Sequence, residues 1–181
     1  MSRSKSPRPN PLASLVLTPH QLAAIVYHVE GAYPDEACGL IVGKTLASGS
    51  AVASRVVISA NLASGDARER FEIDPALRLR LGRELRESGE SVIGHYHSHP
   101  DHPAAPSPRD LDGAYEPDLV WLIVSVEAGK ARACGAFRLE RDAQRVQTIP
   151  LHLENDAAPA AKSRPRKAVS KVTRKIIRKA K

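Results

Sequence analysis

Residues 95–110 read His95-Tyr96-His97-Ser98-His99-Pro100-Asp101-His102-Pro103-Ala104-Ala105-Pro106-Ser107-Pro108-Arg109-Asp110, and four of the seven histidines of the chain fall within the first eight of them. The segment Ser91 to His97 has the composition of a strand. Alternate strand residues project to one face, so His97 and His99 stand side by side, roughly 6–7 Å apart at Cα. Their imidazoles can therefore converge on one ion. Pro100 cannot donate to a sheet ladder, which predicts that the strand ends there and puts the pair at a sheet edge. Pro100, Pro103, Pro106 and Pro108 mark a loop, and a short helix is predicted from Ser107.

A catalytic zinc ion typically takes three protein ligands and leaves a fourth position to water. Asp110 is the first candidate for the third ligand, because it lies at the start of the predicted helix and the loop can fold that helix over the strand end. Asp112 competes with it, but the two differ by about half a helical turn, so only one faces the site. His102, on the loop, is a further candidate. His95 shares the face of His97 deeper in the strand and reads as a core or supporting histidine. Ser107-Pro108-Arg109-Asp110 is also a capping-box spacing, a structural reading compatible with a metal role. Two imidazoles and a carboxylate form a mixed N/O set that suits zinc better than magnesium or calcium. One net positive charge remains, which helps to acidify a water ligand.

The elements on either side supply a body for this site. Leu15-Val16-Leu17 reads as a short strand, then Thr18 as an N-cap with Pro19 at the first helical position. Leu22, Ile25, Val26 and Val29 keep helical spacing until Gly31 and Pro34. Cys38–Val42 and Ala51–Ser59 read as strands. A second helix opens at Pro75, with Leu77, Leu81 and Leu85 repeating up to Gly89. Leu119–Val126, Ala131–Leu139 and Arg145–Leu151 are strand candidates, the first two joined by a hairpin turn at Glu127–Lys130. Strands and helices intermix, which predicts a mixed α/β domain over residues 12–153.

At 181 residues the chain fits one domain with tails, on a prior of roughly 150 residues per domain. The formal net charge of +7 is concentrated at the ends. Residues 1–11 carry three bases and no acid, residues 157–181 carry ten bases and no acid, and the stretch between them carries 14 bases against 20 acids. The arm 1–11 is expected to be disordered. The tail 154–181 is expected to be a basic, disordered extension, with Lys167–Lys181 able to form a basic helix against an anionic partner. The longest apolar run, Leu119–Val124, is six residues, far short of the roughly 20 a membrane helix needs. The stretch Leu12–Leu17 is too short for a secretory signal. These features predict a soluble cytoplasmic protein with no membrane partner. Cys38 and Cys134 form no framework and are expected to be buried apolar side chains in a reducing compartment.

The run His97-Ser98-His99-Pro100, then the gap to Pro106, then Ser107-Pro108-Arg109-Asp110, resembles the signature of the JAMM (MPN-plus) zinc metallopeptidases. Tyr33-Pro34-Asp35-Glu36-Ala37-Cys38-Gly39-Leu40 resembles the opening of the bacterial stand-alone members, and Phe71-Glu72-Ile73-Asp74-Pro75 is similar in the same way. The resemblance covers roughly residues 15–150 and stops at both basic ends. It implies a JAMM/MPN-like core, a mostly antiparallel curved sheet flanked by about three helices. It also implies one zinc ion per chain held by His97, His99 and Asp110. Glu36 then corresponds to the glutamate that holds and deprotonates a water, and Ser107 to the serine that hydrogen-bonds the oxyanion. The implied substrate is a peptide or isopeptide bond at the C-terminus of a ubiquitin-like or sulfur-carrier protein.

These residue types suit that chemistry independently. Peptide hydrolysis needs an activated nucleophile, a proton shuttle and charge stabilisation, which a metal, a carboxylate and a hydroxyl donor can provide. The rival reading is a catalytically silent MPN-type protein-binding module, to which the basic tail would add nonspecific nucleic-acid binding. No motif position is missing, which argues against the silent module. Neither HExxH nor PCxxC occurs, which excludes two other zinc-hydrolase patterns.

Overall fold

The computed structural model describes residues 12–116, 118–140 and 145–154. The arm 1–11 and the expected basic helix Lys167–Lys181 lie outside the described residues. Strand β1 (Ser14–Leu17) leads into helix α1 (Pro19–Ala32). Thr18 Oγ1 accepts from the Gln21 N–H at 3.1 Å and the Gln21 side chain accepts from the Thr18 N–H at 2.8 Å, so a reciprocal cap fixes where α1 begins. Strands β2 (Cys38–Thr45) and β3 (Ser50–Ser59), helix α2 (Pro75–Glu84), strand β4 (Ser91–Pro100) and helix α3 (Pro108–Asp112) follow. Strands β5 (Val120–Glu127), β6 (Lys130–Glu140), β7 (Arg145–Ile149) and β8 (Leu151–Leu153) complete the order. Helix α2 stops at Glu84 and not at Gly89, because Leu85 caps it and the chain turns through the intervening residues. The β5–β6 turn is as expected, with Ala128 and Gly129 both at positive φ.

The eight strands form one sheet in the order β7-β6-β5-β4-β2-β3-β1-β8. Four of its seven strand contacts are antiparallel and three are parallel. The outermost strands β7 and β8 are consecutive in the chain, separated by Pro150 alone, so the sheet curls into a nearly closed barrel. The single strand expected over Arg145–Leu151 is therefore two. Pro150 has no N–H for a ladder, but its carbonyl accepts from the Leu15 N–H at 2.9 Å and ties the chain to the opposite end of the sheet.

Both faces of the central strands are covered. Ile41, Tyr96, Leu122 and Val124 pack with Ile25 and Val29 of α1. On the other face Leu40 and Val42 meet Leu77 and Leu81 of α2, while Trp121 and Ile123 pack with Phe137 and Leu139. That coverage explains the uninterrupted apolar runs of β2 and β5. It also assigns the odd-numbered histidines of β4 to the α2/α3 side. Cys38 is buried as expected, but Cys134 is exposed, in the part of β6 that precedes its pairing with β7.

One expectation about the site is overturned. The histidine strand β4 is interior, hydrogen-bonded between β2 and β5, and not at a sheet edge. Pro100 is its last residue and lies opposite Val126, whose carbonyl accepts from the Asp101 N–H at 2.8 Å, so the ladder there needs no N–H from Pro100. The site opens instead at the strand end, because pairing with β2 stops at Cys38 opposite His97. Parallel neighbours β4 and β5 need a crossover. That crossover, residues 101–119, carries α3 back over the end of β4.

Candidate active site

The crossover brings three expected ligands together. His97 Nε2 and His99 Nε2 approach to 3.0 Å, and each lies 3.3 Å from an oxygen of Asp110. All three residues are buried. They are a group of His, Cys, Asp or Glu side chains able to hold a metal ion among the described residues. Asp112 is exposed and outside this convergence, and so is His102, whose carbonyl accepts from Ser125 Oγ at 2.7 Å. His95 is buried behind the pair, its ring 4.1 Å edge-on from Trp121, which is the supporting place expected for it.

The donor set fits a small divalent cation. His99 Nδ1 lies 3.0 Å from the Pro103 carbonyl. A carbonyl only accepts, so the neutral ring carries its proton on Nδ1 and turns a bare Nε2 toward Asp110 and His97. Bare lone pairs beside a carboxylate repel each other unless a cation lies between them. A tetrahedral ion with bonds of about 2.0–2.1 Å holds its ligand atoms roughly 3.3 Å apart, which matches the observed spacing of 3.0–3.3 Å.

Packing and electrostatics reinforce this. The His97 ring stacks on Phe71 at 4.3 Å, and its Nδ1 is buried without a hydrogen-bond partner. Burial pushes the pKa of both His95 and His97 down, which keeps them neutral. Burial opposes charge on His99 as well, but the adjacent Asp110 and the Pro103 carbonyl raise it overall. For Asp110, burial alone would raise the pKa. The two adjacent imidazoles override it and hold the carboxyl well below the usual carboxylate range.

Helix α3 aims Asp110 through the capping box anticipated from the sequence. Ser107 Oγ accepts from the Asp110 N–H at 3.2 Å and donates to Asp110 Oδ2 at 2.7 Å, while the Ser107 N–H donates to the same oxygen at 2.6 Å. Glu36 precedes β2 and is buried. Burial pushes its pKa up to about 8, with His99 opposing that rise and Asp110 adding to it. Glu36 and Ser107 both line a cleft of about 520 Å³, together with Asp110 and Phe71, and a neighbouring cleft of about 530 Å³, together with His99 and Pro103. The ion pair Arg109–Glu69, at 2.7 Å, borders both.

A family model described as prokaryotic homologues of the JAB domain matches residues 18–140. The chain belongs to that family. This JAB domain thereby joins the JAMM-type peptidases and isopeptidases, which are hydrolases. It is 33% identical over 95 residues to a desampylase of Haloferax volcanii, an overlap of 51% of this chain and 63% of the relative, so it spans under two thirds of that protein. It is 29% identical over 125 residues to a CysO-cysteine peptidase of Mycobacterium tuberculosis, covering 69% of this chain and 82% of the relative. A solution structure of a protein from Desulfitobacterium hafniense superposes with a TM-score of 0.68 at 32% identity, covering 78% of this chain and 94% of that one. The matched region excludes both basic ends.

Two supports of this JAB site escaped the sequence reading. Ser98 lies between the histidines, and its hydroxyl accepts from the Ala37 N–H at 2.9 Å while its own N–H donates to the Ala37 carbonyl at 3.0 Å. The residue next to Glu36 is thus tied to the metal-ligand strand. Asn61 donates to the Glu36 and Arg70 carbonyls, and nothing in its local sequence pattern marks it. No helix of the described residues is long and apolar enough to cross a membrane.

Proposed function

We propose that this JAB domain is a zinc metallopeptidase that hydrolyses a peptide or isopeptide bond at the C-terminus of a ubiquitin-like or sulfur-carrier protein, working in the cytoplasm. The observation that carries the reading is the meeting of the His97, His99 and Asp110 donor atoms beside a cleft lined by Glu36 and Ser107. The names of the relatives, a desampylase and a CysO-cysteine peptidase, support the substrate class.

His97, His99 and Asp110 would hold the zinc, which when bound supplies Lewis acidity toward water and the scissile carbonyl. Glu36, buried at the edge of the cleft, takes a proton from the attacking water and hands it to the leaving nitrogen. The water oxygen adds to the carbonyl carbon, the C–N bond breaks, and an acid and an amine leave. Ser107 donates a hydrogen bond from its hydroxyl to the developing alkoxide after rotation about its Cβ–Oγ bond, which turns the O–H away from Asp110.

A cleavage screen against C-terminal fusions of ubiquitin-like and sulfur-carrier proteins, with elemental analysis, tests this. The purified chain is expected to carry about one zinc and to lose turnover with a chelator. His97→Ala and Asp110→Ala should lose metal, whereas Glu36→Gln should keep metal and lose turnover. Undiminished cleavage by Glu36→Gln would remove the assigned proton shuttle. Cleavage of no fusion by the zinc-loaded chain would favour the binding-module reading.

A further inference from the structure

We infer that Asn61 is a positioning residue that couples the Glu36 backbone to the cleft wall backing His97; the inference rests on the role proposed above for Glu36. Asn61 follows β3 and pairs with Ile73 in an isolated bridge. Its side-chain amide uses its full hydrogen-bonding capacity. Nδ2 donates to the Glu36 carbonyl at 2.9 Å and to the Arg70 carbonyl at 2.8 Å. Oδ1 accepts from the Ala63 N–H at 3.0 Å and the Glu72 N–H at 3.0 Å. Two carbonyls face the nitrogen and two N–H groups face the oxygen, so only one orientation of the amide satisfies the network.

The partners define what this residue does. Arg70 and Glu72 flank Phe71, whose ring stacks on His97. Asn61 therefore grips the main chain on both sides of the ring that supports a candidate metal ligand. Through Glu36 it also grips the residue assigned to proton transfer. The Glu36 N–H donates to the Ala67 carbonyl at 2.7 Å, inside the same loop. Glu36 and the segment 61–73, distant in sequence, are thus joined beside the site by the Asn61 side chain and by this backbone bond. Proton transfer is sensitive to sub-ångström placement, so a loosened Glu36 affects turnover before it affects binding.

The test uses the full zinc-loaded chain and the fusion cleaved fastest in the screen above. Asn61→Ala removes all four bonds. Asn61→Asp keeps the two acceptor bonds to Ala63 and Glu72 but loses both donor bonds, and it keeps the assay interpretable if the alanine variant folds poorly. The expectation for Asn61→Asp is a fall in kcat of about 100-fold with KM changed by less than about threefold, the pattern of a misplaced reacting group. Zinc content should stay at wild-type level. Deuterium uptake by residues 33–38 should accelerate, a readout independent of activity. A folded Asn61→Asp with wild-type kcat and unchanged uptake would overturn the inference. So would a kcat loss that merely tracks the unfolded fraction. Glu36→Gln separates the two readings: if it stays active, the role of Glu36 fails, whereas an inactive Glu36→Gln beside a fully active Asn61→Asp removes only the positioning role.

Discussion

Glu36 is a carboxyl group folded into a place that disfavours its charge. Its folded pKa of about 8 lies above the roughly 4.3 of an unfolded glutamate. Because that pKa is raised, its contribution to stability is fully present below about pH 4.3 and is lost as pH rises through about 8. Asp110 has the opposite sign: its lowered pKa gives stability that is present above about pH 3.9 and is lost progressively as pH falls below that. In metal-free protein, Glu36→Gln should therefore match wild type near pH 4 and become more stable above pH 8, by up to about 5 kcal/mol. Urea midpoints across this range measure the difference, and parallel curves for the two proteins would show that burial does not perturb Glu36.

Helix α3 spans five residues, too few for a stable turn of helix by propensity alone. Its capping box and the Arg109–Glu69 ion pair hold it in place. Ser107 is therefore both the cap that aims Asp110 and a hydroxyl in the cleft. Loss of the cap should cost about 1 kcal/mol of stability, and loss of a transition-state donor should cost about 10²–10³ in kcat. Ser107→Ala is expected to show both effects and Ser107→Thr to recover both. Thermal melts beside steady-state cleavage check this; a Ser107→Ala variant with a lowered Tm but wild-type kcat would leave Ser107 a cap only. The start of each helix was legible because proline and a capping side chain mark it locally. The end of α2 was not, because Leu85 satisfies the helical period while the chain already turns.

The crossover between β4 and β5 makes the site a property of the whole molecule, since two ligands belong to the strand and the third to the returning helix. Binding of zinc to this folded arrangement should stabilise it by about 4 kcal/mol at a thousandfold excess over Kd. For a domain of this size that corresponds to a rise of roughly 10 °C in Tm, seen by calorimetry with and without chelator and absent in His97→Ala. No rise in the wild-type protein would mean that the three side chains do not act as one metal site.

The spacing of His97, His99, Ser107 and Asp110, with Glu36 upstream, was readable from the chain alone. Strand alternation and helix capping act over a few residues, and each is written in its own neighbourhood. The interior position of β4, the division of the last strand at Pro150, the exposure of Cys134 and the grip of Asn61 were settled only on folding. Each depends on which distant segments become neighbours, and local residue preferences carry no record of strand order.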